Sequence, residues 1–189
     1  MTSTTRDRIV EAAVELTTES GWSSVTMAAV AERVGVSRQT VYNEIGSKPA
    51  LAESMVHEEL GRFLSIVEHA FDRHPTDLSG SIHDAALGVL ELAEDNTLLN
   101  AIVSATHGAG TELLPLLTTH AGSLLGTAKA MVADRLRPIE LPFTPDQLSA
   151  LIDTIVRLVL SHVMQPTDSP ARTADDIAWV AGRVLRPDA

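Results

Sequence analysis

Apolar residues recur along this chain at the three- and four-residue spacing of helices, and the pattern is clearest between residues 25 and 48. Met27, Val30, Ala31 and Val34 fall at i, i+3, i+4 and i+7, so a short helix has one apolar face, and Thr26 stands where an N-cap is wanted. Gly35 follows directly, a residue that closes a helix with positive φ at little steric cost and lets Val36 turn back into the core. Ser37 caps a second short helix in which Val41 and Ile45 point inward, leaving Arg38, Gln39, Thr40, Tyr42 and Asn43 outward. Two short helices hinged at one glycine, the second with polar groups outward, form a helix-turn-helix, and DNA is the first partner to consider. Upstream, Ile9, Ala12, Ala13 and Leu16 predict a helix over 5–20, opened by a capping box of Thr4 and Asp7 and closed by Gly21. Ser47, Lys48 and Pro49 open a fourth helix with a cap and a first-turn proline.

The same spacing continues beyond residue 48. The fourth helix is predicted to run to about His74, with Leu51, Met55, Leu60, Phe63, Leu64 and Val67 apolar, and Pro75 ends it. The fifth starts between Asp77 and Ser81, carries Ile82, Ala85, Ala86, Val89, Leu90 and Ala93, and breaks at Asp95 and Asn96. A sixth is expected over 97–107, stopped by Gly108 and Gly110, and a seventh region over 111–137, kinked or split at Pro115. A loop with three prolines precedes a helix over 145–164, and a last helix is expected over about 171–185. The reading is an all-α chain: a tri-helical DNA-binding domain over 1–47 and a helical ligand-binding and dimerisation domain over 48–189.

Several pieces of the N-terminal stretch stand in a familiar order: residues 8–13 (Arg-Ile-Val-Glu-Ala-Ala), Gly21-Trp22, Val25-Thr26-Met27, residues 31–37, Thr40-Val41-Tyr42 and Gly46-Ser47-Lys48. They resemble the N-terminal domain of TetR-family transcriptional repressors over about the first quarter of the chain. One departure is Ile45, where the family usually carries an aromatic residue, most often Phe. By this resemblance Thr26, Thr40, Tyr42 and Lys48 are phosphate contacts, and the last two helices meet their symmetry mates in a four-helix bundle. The turn from Tyr42 to Lys48 also resembles that of some actinobacterial regulators of alkane or lipid metabolism.

The net charge of −11 runs against binding by bulk electrostatics. Residues 1–60 hold five cations (Arg6, Arg8, Arg33, Arg38, Lys48) against nine acids (Asp7, Glu11, Glu15, Glu19, Glu32, Glu44, Glu53, Glu58, Glu59), a net of −4. The expected resolution is local placement, with Arg38, Lys48 and Arg6 on the DNA side and most acids on other faces. Backbone amides at the helix starts near Thr26, Ser37 and Lys48 add uncharged phosphate ligands. At the start of the second short helix, Arg38 can donate a bidentate pair to guanine and Gln39 can pair with adenine.

The absence of cysteine excludes a disulfide framework and thiolate metal sites, and the Met-Thr-Ser-Thr-Thr-Arg start lacks the apolar core of a signal peptide, so a cytoplasmic protein is expected. The most apolar stretch, 148–164, is interrupted by Asp153 and Arg157, and no membrane insertion is expected. None of the seven histidines sits in His-Glu-x-x-His, and residues 122–126 do not satisfy Gly-x-Ser-x-Gly, so no metal, cofactor or catalytic residue is assigned and no enzyme is expected. Helices four to seven can enclose an effector cavity, with Phe63, Val67, Leu90, Ile102, Thr106, Leu117, His120 and Leu124 as lining; with three Phe in the chain, aliphatic groups dominate and an acyl or alkyl effector suits it. The expected function is a dimeric, ligand-responsive repressor on a palindromic operator. The alternative is an all-helical small-molecule binder whose acidic head no longer holds DNA.

Overall fold

A computed structural model describes residues 4–100 and 121–185. Among these the helices are α1 (Thr5–Ser20), α2 (Met27–Val34), α3 (Arg38–Ile45), α4 (Lys48–Arg73), α5 (Leu78–Glu94), α6 (Ala121–Leu136), α7 (Pro145–Met164) and α8 (Pro170–Leu185), with a single 3-10 turn at Trp22–Ser24. The expected sixth helix is entered at residues 97–100, and the rest of it, with the first half of the seventh region, lies outside the described residues. Helical ends fall where capping chemistry puts them. Thr4 and Asp7 exchange both bonds of a capping box at α1, and Thr144 and Gln147 do the same at α7. Gly35, at φ 76° and ψ 36°, occupies the left-handed region that a side chain resists, and the Val36 amide donates back to the Ala31 carbonyl.

The chain forms two compact units, the first joining residues up to Leu60 with the stretch from Asn96, the second joining Gly61–Asp95 with the stretch from Gly122. In the first, Ile9 and Ala13 of α1, Val30 of α2, Val41 of α3 and Leu51 of α4 are sealed from solvent in one cluster. Each large aliphatic buried there contributes about 1.5–3 kcal/mol, and their positions set the tilt of α3. Ile45, at the place usually aromatic in the resembled family, is buried in the same cluster. Asn96 closes this unit: its Oδ1 accepts from the Leu99 amide at 2.7 Å, its Nδ2 donates to Glu59, and Leu98 enters the core.

In the second unit α5 and α8 pack through small residues. Ala85, Ala86, Val89 and Ala93 are buried on α5, and Thr173, Ala174, Ile177, Ala178 and Ala181 on α8. Gly88 permits the close approach of α4, since a Cβ there would stand 2.6 Å from Ile66 Cγ2. Phe71, Leu136 and Ile152 join α4, α6 and α7 in a second cluster. By length and composition α7 could cross a membrane, with mean hydropathy 1.3, and only 6% of that window is buried within the chain. Asp153 in its middle, however, accepts from Lys129 of α6 at 2.8 Å and from Arg157 at 2.8 Å, a charge cluster suited to water or a protein interface.

A polar joint lies where α4 ends. Asp84 of α5 accepts from His74 Nε2 at 2.9 Å, stands 3.0 Å from His83 Nδ1 and pairs with Arg73, while His83 Nε2 lies 3.3 Å from Asp175 of α8. The bond to His83, followed by that to His74, holds the Asp84 carboxyl below its ordinary value of 3.8. A carboxyl with a lowered folded value stabilises the fold fully above about pH 4, and the contribution disappears as pH falls through the lowered value. Asp84→Asn is therefore expected to lower the Tm at pH 7 by about 2–4 °C. Thermal scans of both proteins between pH 7 and pH 2.5 should show this gap closing only at the acid end.

Candidate nucleic-acid interface

The starts of α1, α2, α3 and α4 each carry a side-chain oxygen cap, from Thr4, Thr26, Ser37 and Ser47. Thr26 Oγ1 accepts from the Ala29 amide at 3.1 Å, and Ser37 Oγ accepts from the Thr40 amide at 3.0 Å while lying 2.9 Å from Thr40 Oγ1. These bonds fix the first turns of α2 and α3. The Tyr42 ring is 44% exposed, so it does not pack between helices. Arg38, Gln39 and Asn43 are exposed on α3, and Gln39 Nε2 donates to Asn43 Oδ1 at 2.8 Å.

The cations of this unit are mostly engaged inside it. Arg8 of α1 donates to the Val34 carbonyl at 2.8 Å, closing the C-terminus of α2. Arg6, two residues earlier, donates to the Glu44 carbonyl at 2.6 Å, near the end of α3, and to Ser54 Oγ of α4 at 2.9 Å. Arg33 makes a bidentate pair with Glu19 and a further bond to Glu15, so that its guanidinium is raised and Glu19 lowered from their ordinary values. Lys48 donates to the Trp22 carbonyl at 3.0 Å, its ammonium 4.8 Å above the Trp22 ring centroid. Arg38 is the one cation of the head without a partner among the described residues.

Arg6, expected on the DNA side, is exposed and engaged at the carbonyl end of α3, whose last C=O groups have no intrahelical partner and carry the negative end of the helix dipole. Of the expected effector residues, Leu90 is buried, Phe63 is half-buried, and Val67 packs against the Phe71, Leu136 and Ile152 cluster. Ile102, Thr106, Leu117, His120 and the side chain of Leu124 lie outside the described residues. On the last two helices the periodic apolar residues divide. One stripe of α8 is buried against α5, while Trp179 is 64% exposed and Val180, Val184, Leu160 and Met164 are exposed with it. Val180 and Val184 continue the helical spacing of the buried residues, and two apolar stripes on one helix are separated only by knowing what packs on each.

A tri-helical head with capped, outward-facing α3 defines a helix-turn-helix DNA-binding regulator. Residues 9–55 match the model for bacterial regulatory proteins of the tetR family, and residues 77–183 match the bacterial tetracyclin repressor C-terminal domain. The chain belongs to the TetR family of transcriptional regulators. It is 30% identical over 175 residues to the HTH-type transcriptional regulator AlkX of Mycobacterium tuberculosis, covering 92% of this chain and 81% of that protein. Its fold is similar to the crystal structure of the TetR family repressor AlkX from Dietzia sp. strain DQ12-45-1b, implicated in biodegradation of n-alkanes, with a TM-score of 0.75, 26% identity and coverage of 96% and 95% of the two chains. A TetR-family regulator from Mesorhizobium loti shares the fold at a TM-score of 0.67 and 19% identity, covering 95% and 96% of the two chains.

Removing the Arg6 side chain should loosen α3 without disturbing α5 or α8. Hydrogen exchange by mass spectrometry on Arg6→Met is expected to show faster exchange over residues 42–48 and unchanged exchange over 85–93, and equal protection in both proteins would contradict the capping role.

Proposed function

We propose that this regulator is a cytoplasmic repressor, without catalytic activity, that binds a palindromic operator as a homodimer and is released by an apolar or acyl-type effector. The observation that carries the DNA contacts is the free Arg38 beside exposed Gln39 on a helix capped at both ends. Arg38 and Gln39 read base edges, while Thr26, Ser37, Thr40, Tyr42 and Lys48 receive phosphates and set register. Lys48 does so from its seat on Trp22.

The dimer is supported by the apolar face of α7 and α8, where exposed Trp179, Val180, Val184, Leu160 and Met164 have no covering element among the described residues. Two heads on successive turns of one groove face, ~34 Å apart, then match a two-fold operator. The effector is taken to enter the helical body and to favour a state in which α4 carries the heads out of groove spacing, the coupling energy being its differential affinity for the two states. Its aliphatic nature is supported by the few aromatic residues of the chain and by the similarity to the Dietzia repressor implicated in biodegradation of n-alkanes.

Fluorescence anisotropy on duplexes from a random pool and from the upstream region of its own gene tests the operator contacts. Sequence-specific binding is expected, and Arg38→Ala should weaken it by about 1–3 kcal/mol; no specific binding to any duplex would favour a small-molecule binder that does not read DNA. Trp179→Glu combined with Val180→Asp is expected to yield a monomer in sedimentation, and an unchanged dimer would place the interface elsewhere. Fatty acids, acyl-CoA thioesters and n-alkanes should be screened for a Tm rise and operator release, and failure of all three would remove the effector reading.

A further inference from the structure

Side chains on α3 differ in how directly they face away from the core. At about 100° per residue, Gln39 and Asn43 lie about 140° and 180° around the helix from the mean direction of buried Val41 and Ile45, whereas Arg38, in the first turn, lies only about 40° from that direction. The centre of the exposed face therefore belongs to two amides rather than to a charge. They are i, i+4 neighbours, and Gln39 Nε2 donates to Asn43 Oδ1 at 2.8 Å.

Counting donors decides what that pair can read. A glutamine amide has two N–H donors and one oxygen acceptor. With one N–H directed at Asn43, Gln39 offers the outside one donor and one acceptor. Adenine presents the complement in the major groove, N7 as acceptor and N6–H as donor, while guanine presents two acceptors, N7 and O6. An unrestrained glutamine can turn both N–H groups to guanine; one tethered through Nε2 lacks the second donor. Arg38, which has only donors, suits guanine, so the two readers divide the purines.

We propose that Asn43 is a positioning and specificity-determining residue, whose side-chain oxygen occupies one N–H of Gln39 and thereby makes Gln39 select adenine over guanine in each half-site. This rests on the operator-binding reading above. Because both side chains are exposed and neither is in the core, their substitution leaves the packing of the head intact.

The test is selection from a random duplex library with the full chain and its Gln39→Ala, Asn43→Ala and Asn43→Asp variants. The unsubstituted protein is expected to enrich adenine at a position whose preference disappears in Gln39→Ala. Asn43→Ala should still bind but accept guanine there, its adenine-to-guanine ratio falling by about fivefold or more. Asn43→Asp keeps an acceptor and has no N–H, so it should retain the adenine preference while binding more weakly overall through its added charge. An Asn43→Ala ratio equal to that of the unsubstituted protein, or a Gln39-dependent position that is not adenine, overturns the proposal. Enrichment of no motif by the unsubstituted protein would instead overturn the operator-binding reading, and this proposal with it.

Discussion

Two arginines on one helix close the ends of the next two. Arg8 holds the Val34 carbonyl of α2, and Arg6 holds the Glu44 carbonyl of α3 while also reaching Ser54 of α4. A charge-assisted bond of this kind contributes about 1.5–3 kcal/mol, and it satisfies carbonyls that would otherwise need water. The larger consequence is geometric. An eight-residue helix such as α3 is too short to be stable by itself, so its direction depends on Val41 and Ile45 in the core, Ser37 at its start and Arg6 near its end.

The same bonds explain how an acidic head can face a polyanion. With Arg6, Arg8 and Arg33 each bonded within the head, the cations proposed to meet DNA are, among the described residues, Arg38 and the Trp22-bound Lys48. Affinity then depends on amides, hydroxyls and helix starts more than on ion pairs. Such an interface discriminates well against random sequence, because non-specific binding is the part that charge supplies. Arg33 offsets one of the two negative charges of Glu15 and Glu19, which would repel phosphate.

Much of this was legible because it is locally encoded. The capping box at Thr4 and Asp7, the caps at Thr26 and Ser37 and the left-handed Gly35 each act within a few residues, so the bounds of α1, α2 and α3 could be read directly. The role of Arg6 could not, since its partners lie 38 and 48 residues away and no periodicity reports them. Nor could the division of α8, where Ile177 and Val180 look alike until α5 is seen on one side only. Gln39 and Asn43 were legible as outward residues at i, i+4 spacing, but the bond between them depends on rotamers that the sequence does not report.

Recognition with few ionic contacts is the central claim, and the salt dependence of operator affinity tests it most directly. Two heads, each contributing Arg38 and Lys48, would give a slope of log Kobs against log salt of about −4 or shallower. A slope of about −8 or steeper would mean that many more cations reach phosphate, and would contradict an architecture in which the arginines of α1 and α2 are held by bonds within the head.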